Sequence, residues 1–177
     1  MASAAGDDRA LFFSIDRNIT VEETSVFTDG FSVGKFTNSY STGANPRNSQ
    51  FVDMDVPFMR AAEAYLTYAE AQTRLGNSDL AKPAIDALKD RAHASASKQG
   101  VYSLDDILDE WAREFMFEGR RRIDLIRFGK FGGNSDYVWE WKGGARNGTN
   151  FSAQRNVFPL PTKDIVANNN LIQNPGY

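Results

Sequence analysis

The chain has 177 residues, a formal net charge of -3, and 41% hydrophobic residues. That is enough to bury one substantial core, and the acidic balance argues against nucleic acid as a partner. The absence of cysteine excludes a disulfide framework, a cysteine-liganded zinc and a thiol nucleophile, and no stretch has the apolar length of a membrane span.

The opening MASAAGDDRA lacks the basic start and apolar run of a secretory signal. Residues 8–51 are rich in Ser, Thr, Asn and Gly, with short apolar groups between. LFFSI at 11–15 and FSVGKF at 31–36 read as short strands or extended loops, with turns at Gly30, Gly34, Gly43 and Asn45-Pro46. Phe12 and Phe13 are read as core filler in preference to sugar-stacking rings. Residues 1–54 are expected as a loop-rich segment packed on a helical body built from 55–177.

The pattern changes at Asp55, where Asp55-x-Pro57 reads as a helix start. Phe58, Ala61, Ala62, Tyr65, Leu66, Ala69 and Leu75 follow at helical spacing, and Gly76-Asn77 closes the run. Ser78 is the expected cap of a second helix carrying Leu80, Ala81, Ala84, Ile85 and Leu88, which fades at 94–97. Pro83 argues for a start nearer Lys82. The pair resembles one tetratricopeptide unit: Tyr65 takes the aromatic position, and Ala69 and Ala81 are the small residues where helices touch. One such unit cannot bury both faces, so later helices must stack on it. The fold class expected is all-α, tetratricopeptide-like stacked helix pairs with long irregular loops and little or no β-structure.

Ser103 with Asp105 and Asp106 signals the start of a third helix. Leu104, Ile107, Leu108, Trp111 and Phe115 form its apolar face, and Glu110, Glu114 and Glu118 a neighbouring stripe. Gly119 then interrupts the pattern before a second apolar run threaded with Arg120, Arg121, Arg122, Asp124 and Arg127. A column of like charges is unfavourable on a lone helix. Arginines of the following segment would relieve it, making a helix corner fastened by an ion-pair cluster of Arg113, Glu114, Glu118, Arg121, Arg122, Asp124 and Arg127. The alternative use of these acids is a carboxylate pair for hydrolysis, which requires an open cleft. The sole histidine, His93, has no second imidazole and no serine–acid arrangement, so no metal ligand, catalytic residue or cofactor is assigned.

The glycine-rich loop 134–150 carries Tyr137, Trp139 and Trp141. In an extended segment Trp139 and Trp141 share one face, which suits the C–H surface of a sugar ring; the other reading is that both anchor a long loop. In the tail, Phe158-Pro159-Leu160-Pro161 is extended, Thr162 is the expected cap of a short helix with Ile165 and Val166, and Leu171 and Ile172 are expected to pin the end. Asn174-Pro175-Gly176 makes a final turn.

The run WAREFMFEGRRRIDLIRFGKF resembles the C-terminal signature of the SusD/RagB family of outer-membrane glycan-binding lipoproteins. The matching residues are Arg113, Glu114, Phe117, Glu118, Gly119, Arg121 or Arg122, Asp124, Leu125, Arg127 and Gly129. YLTYAEAQTRLGN, VWEWKGG and the ending RNVFPLPTKDIVANNNLIQNPGY carry the same resemblance in the same order, so it covers the chain from about Val56 onward. WEWKGG and QNPGY are most similar to the starch-binding branch. Family members are longer and begin with a signal peptide and a lipidated cysteine, so the resemblance makes this chain a C-terminal portion.

What the resemblance implies is non-catalytic capture of an oligosaccharide at the outward-facing outer-membrane surface. Delivery would be to a SusC-type TonB-dependent transporter, with no cofactor, no nucleic acid, and membrane attachment only through a lipid anchor missing from this chain. It also implies that much of the glycan site comes from the other portion, leaving Trp139 and Trp141 as the binding candidates here. The alternative is a tetratricopeptide-type protein interaction module without sugar binding, and behind it a glycoside hydrolase.

Overall fold

The computed structural model describes residues 6–40, 42–48, 50–133 and 136–177; Asn134 and Ser135 of the tryptophan loop and residues 1–5 of the opening segment lie outside it. The chain forms two compact units, Met1–Gly119 and Arg120–Tyr177.

In the first unit the pair α1 (Ala61–Arg74) and α2 (Ser78–Arg91) packs together, and α3 (Leu104–Glu114) packs on α1. Ala69 and Ala81 have no exposed surface, which is the close helix approach that small residues permit. Leu66, Ile85, Leu88, Tyr102, Ile107, Leu108, Trp111 and Phe115 fill the space around them. Trp111 and Phe115 stack with ring centroids 5.3 Å apart, and the Trp111 indole N–H donates to Glu70 Oε2 at 3.1 Å.

Helix ends follow local chemistry. The α1 terminus closes with Asn77 N–H on the Gln72 carbonyl and Gly76 N–H on the Thr73 carbonyl, Gly76 taking φ 83°. The same pattern ends α2, but His93 takes the left-handed position at φ 52°. The histidine therefore serves as a helix terminator, with its ring 2.6 Å from Asp8. At α3, Ser103 Oγ accepts from Asp106 N–H at 3.2 Å while the Asp106 carboxylate accepts from Ser103 N–H at 2.8 Å, a reciprocal capping box.

Other boundaries depart from the sequence reading. Helix α1 starts at Ala61, not beside Pro57, because Arg60 stays extended (φ -135°, ψ 147°) and its guanidinium is committed to Glu114 and Glu118. Ser78 is the first residue of α2 with Asn77 before it, and Pro83 lies inside that helix. The missing N–H of Pro83 leaves only the carbonyl of Asp79, in the first turn, without its helical donor. The expected strands shrink to β1 (Phe12–Phe13) and β2 (Ser32–Val33), antiparallel with Phe12 opposite Val33. Phe12 and Phe13 are exposed on this hairpin, not in the core, since two-residue strands offer too little surface for another layer to cover. The fold is nevertheless the expected one: helices are the substantial regular elements, with a tetratricopeptide-like pair at the centre.

The second unit contains α4 (Arg121–Arg127) and α5 (Thr162–Ala167), joined by loops with two short 3-10 turns. Thr162, expected as a cap, is the first residue of α5 behind Pro161. Ile172 does not pin the tail: it is 87% exposed. Polar groups do so instead. The Gln173 amide bonds both the N–H and the carbonyl of Leu160, at 2.8 and 3.0 Å, imitating a strand partner. Asn174 donates to the Phe158 carbonyl, and the Tyr177 hydroxyl bonds the Gln154 and Val157 carbonyls.

Candidate functional site

Two sites can be built from the residues upward, one in each unit. In the first, α3 turns Glu110 and Glu114 inward on successive turns, and both are buried. Burial of carboxylates is tolerable only with cations beside them. Glu114 binds Arg60 at 2.6 Å, Arg91 at 2.5 Å and Arg9 at 3.1 Å. Glu110 binds Arg9 at 2.6 Å, Arg113 at 2.9 Å and Lys89 at 3.2 Å. Glu118, beyond the helix end, binds Lys35 at 2.5 Å and Arg60 at 2.8 Å. Arg60 also lies 4.3 Å from the centroid of the Phe115 ring.

The cations therefore come largely from ahead of the helix, where the sequence reading looked to arginines behind it. Arg113 and the acids were named in advance; Arg9, Lys35, Arg60, Lys89 and Arg91 were missed. Their separations from Glu114 reach 105 residues, and no periodic pattern encodes a partner at that distance. Burial by itself would raise the Glu110 carboxyl, but the charges of Arg9, Arg113 and Lys89 outweigh it and hold the group below its ordinary range. Glu118 is likewise raised by burial and lowered further by its bonds to Arg60 and Lys35. A general acid must carry a proton at working pH; these carboxyls are arranged for the opposite.

In the second unit, Asp124 is buried and holds Arg120 at 3.3 Å and Arg127 at 2.8 Å. Arg121 donates to the Tyr137 hydroxyl at 2.7 Å. Arg122 donates to the Arg155 carbonyl at 2.8 Å and lies 3.9 Å from the Phe158 ring centroid. Phe131, Phe151, Phe158 and Tyr177, with Arg122 and Arg155, line an open pocket of about 520 Å³. That falls within the size range of small-ligand sites, and aromatic walls with a few polar groups are the usual lining.

Trp139 and the pocket-lining Phe151 share Lys142 as a neighbour. The Trp139 ring packs edge-on to Tyr137 at 6.0 Å, and Lys142 Nζ sits 4.6 Å from its centroid and 5.3 Å from that of Phe151. Lys142 is 1% exposed and donates to the Tyr137 carbonyl at 2.7 Å. Burial pulls its ammonium below the ordinary range, and two ring faces partly replace the lost water. Trp139 keeps 39% of its surface exposed. Trp141 is different: its backbone is left-handed at φ 66°, which ends the strand-like alternation assumed for the pair, and its indole N–H is buried. The loop closes on itself there, with Trp141 N–H on the Arg146 carbonyl and Thr149 N–H on the Lys142 carbonyl. Among the described residues, no group of His, Cys, Asp or Glu is arranged to hold a metal.

The SusD family model matches residues 13–177. The chain belongs to the SusD family. This SusD-family chain is 46% identical over 181 positions to the starch-binding protein SusD of Bacteroides thetaiotaomicron, an alignment that takes in all of the chain and 32% of that relative. It thus spans about a third of the relative's length. Among solved structures, a SusD superfamily protein from Parabacteroides distasonis matches with a TM-score of 0.69, covering 98% of this chain and 40% of its own, at 22% identity. Surface glycan-binding protein A from Bacteroides uniformis matches with a TM-score of 0.66, covering 97% of this chain and 38% of its own, also at 22% identity. At that identity the two structures support the shared SusD fold alone.

Proposed function

We propose that this SusD-family chain is part of a non-catalytic glycan-binding protein of the outward-facing outer-membrane surface. Such a protein captures an oligosaccharide, of the starch type on this reading, and delivers it to a SusC-type TonB-dependent transporter. The observation that carries the reading is the 46% identity, along the whole chain, to a protein described as starch-binding. The chemistry agrees with it. The buried acids of the first unit are engaged by arginine and lysine, whereas the second unit presents aromatic rings around a pocket of suitable size. Stacking of a sugar's C–H face on such rings needs no cofactor.

Trp139 and the Phe158 side of the pocket are this chain's contribution to sugar contact; Trp141 serves the loop instead. Calorimetric titration with maltoheptaose tests this. Phe158→Ala and Trp139→Ala should each weaken binding several-fold, and together by about tenfold, equivalent to about 1.4 kcal/mol. Unchanged affinity in the double variant removes both residues from the site. No binding by the wild-type chain, or by the longer protein containing it, removes the starch reading.

A second reading, protein docking through the tetratricopeptide-like pair, is favoured by the exposure of Tyr65, Tyr68, Leu75 and Leu80 along those helices. Capture of the transporter that is abolished by Tyr65→Ala and Tyr68→Ala, with sugar binding intact, would assign that surface.

A further inference from the structure

Among the described residues, the ion pairs of the first unit are not one to one. Arg9, Lys35, Arg60, Lys89, Arg91 and Arg113 face four carboxylates, those of Asp7, Glu110, Glu114 and Glu118. A fifth acid, Asp8, lies 2.6 Å from the His93 ring. The hollow bordered by these charges, of about 230 Å³, is lined by five cations, Arg9, Lys35, Arg60, Arg91 and Arg113, and by three carboxylates, Asp8, Glu114 and Glu118.

The donors there are unequally used. Arg60 spends its guanidinium on four hydrogen bonds to Glu114 and Glu118. Among the described residues, Arg91, the last residue of α2, makes one side-chain bond, to Glu114 Oε2 at 2.5 Å, and its side chain is 54% exposed. A guanidinium has five N–H donors, so most of its fork is open to a further acceptor. Lys35 beside it uses its ammonium on the Glu114 carbonyl and the Glu118 carboxylate, leaving one donor of three. A planar fork with spare donors and excess positive charge in a partly buried hollow matches the geometry of carboxylate or sulfate oxygens. The volume lies below that of a typical ligand pocket, which suits one charged group and not a sugar chain.

We propose that this hollow is an oxyanion-binding site, with Arg91 as the principal donor and Lys35 as its partner. The ligand is a carboxylate or sulfate group, carried on an acidic sugar or supplied as a free ion. The site is distinct from the aromatic pocket and independent of the neutral-glycan reading.

The test is titration of the full chain with sodium sulfate against sodium chloride at matched ionic strength, followed by calorimetry and thermal unfolding. Sulfate should bind saturably and raise Tm where chloride does not. Arg91→Ala should weaken sulfate at least tenfold with an unchanged circular dichroism spectrum, and Arg91→Lys should recover part of the loss. Sulfate acting no differently from chloride, or equal sulfate affinity in wild type and Arg91→Ala, overturns the site. Glucuronate, acetate and glucose then separate the sources. Glucuronate above acetate points to an acidic sugar, and equality of those two to a free ion, each supporting the site. Glucose equal to glucuronate overturns it. Maltoheptaose affinity, read on the same Arg91→Ala sample, stays at the wild-type value, so the two proposals fail separately.

Discussion

Glu114 has a side chain with 1% exposure and three arginines around it. Removing the charge of such a group leaves cations buried without their partner, a loss of about 3 kcal/mol or more. Glu114→Gln is therefore expected to lower the urea midpoint strongly, whereas Arg91→Ala, at the exposed end of the same network, should cost less than about 1 kcal/mol. Equal effects would mean that burial does not govern the network. The pH dependence has a definite sign. The folded pKa values of Glu110 and Glu118 lie below the ordinary 4.5, so each adds stability that is complete above that value and is lost as pH falls through the depressed one. Stability should hold near neutrality and drop steeply below about pH 4.5, and Glu118→Gln should show a shallower drop. Identical slopes would exclude Glu118 from the acid response. At this scale the acids were legible as a stripe at helical spacing. Their cations were not, because Arg9 and Arg60 meet them only after the chain has folded back.

Among the elements, α3 was the most readable. Its apolar residues repeat at the helical period and its cap is local, with the signal carried by Ser103 and Asp106, three positions apart. Ser103→Ala removes the bond to Asp106 N–H and should cost about 1 kcal/mol, seen as a fall in Tm with no change in helix content. No fall would show that the Asp106 half of the box suffices. Helix α1 was less readable at its start. Asp55-x-Pro57 has the chemistry of a helix start, but the bonds of Arg60 to Glu114 and Glu118 hold the preceding segment extended. The tail was misread for a related reason. Leu171 and Ile172 are the apolar residues near its end, yet Gln173 secures it by bonding the Leu160 backbone, an option that hydrophobicity does not reveal.

At the scale of the molecule, the two units are held by different means. The first has an apolar core centred on Trp111. In the second, Leu125 is the one buried apolar residue among those described, and cation–aromatic pairs such as Arg122 with Phe158 and Lys142 with Trp139 join its segments. The helical class, the tetratricopeptide-like pair and the family signature were available from the order of residues alone, since periodicity, caps and motif spacing are properties of neighbours in the chain. Which cations neutralise Glu114, how Trp141 departs from Trp139, and where the aromatic pocket and the surplus charge at Arg91 lie were decided by tertiary structure. The first and the last depend on groups tens of residues apart coming within a few ångströms, since electrostatics and burial act through space, not along the chain; the turn at Trp141 is closed within its own loop, on the Arg146 carbonyl.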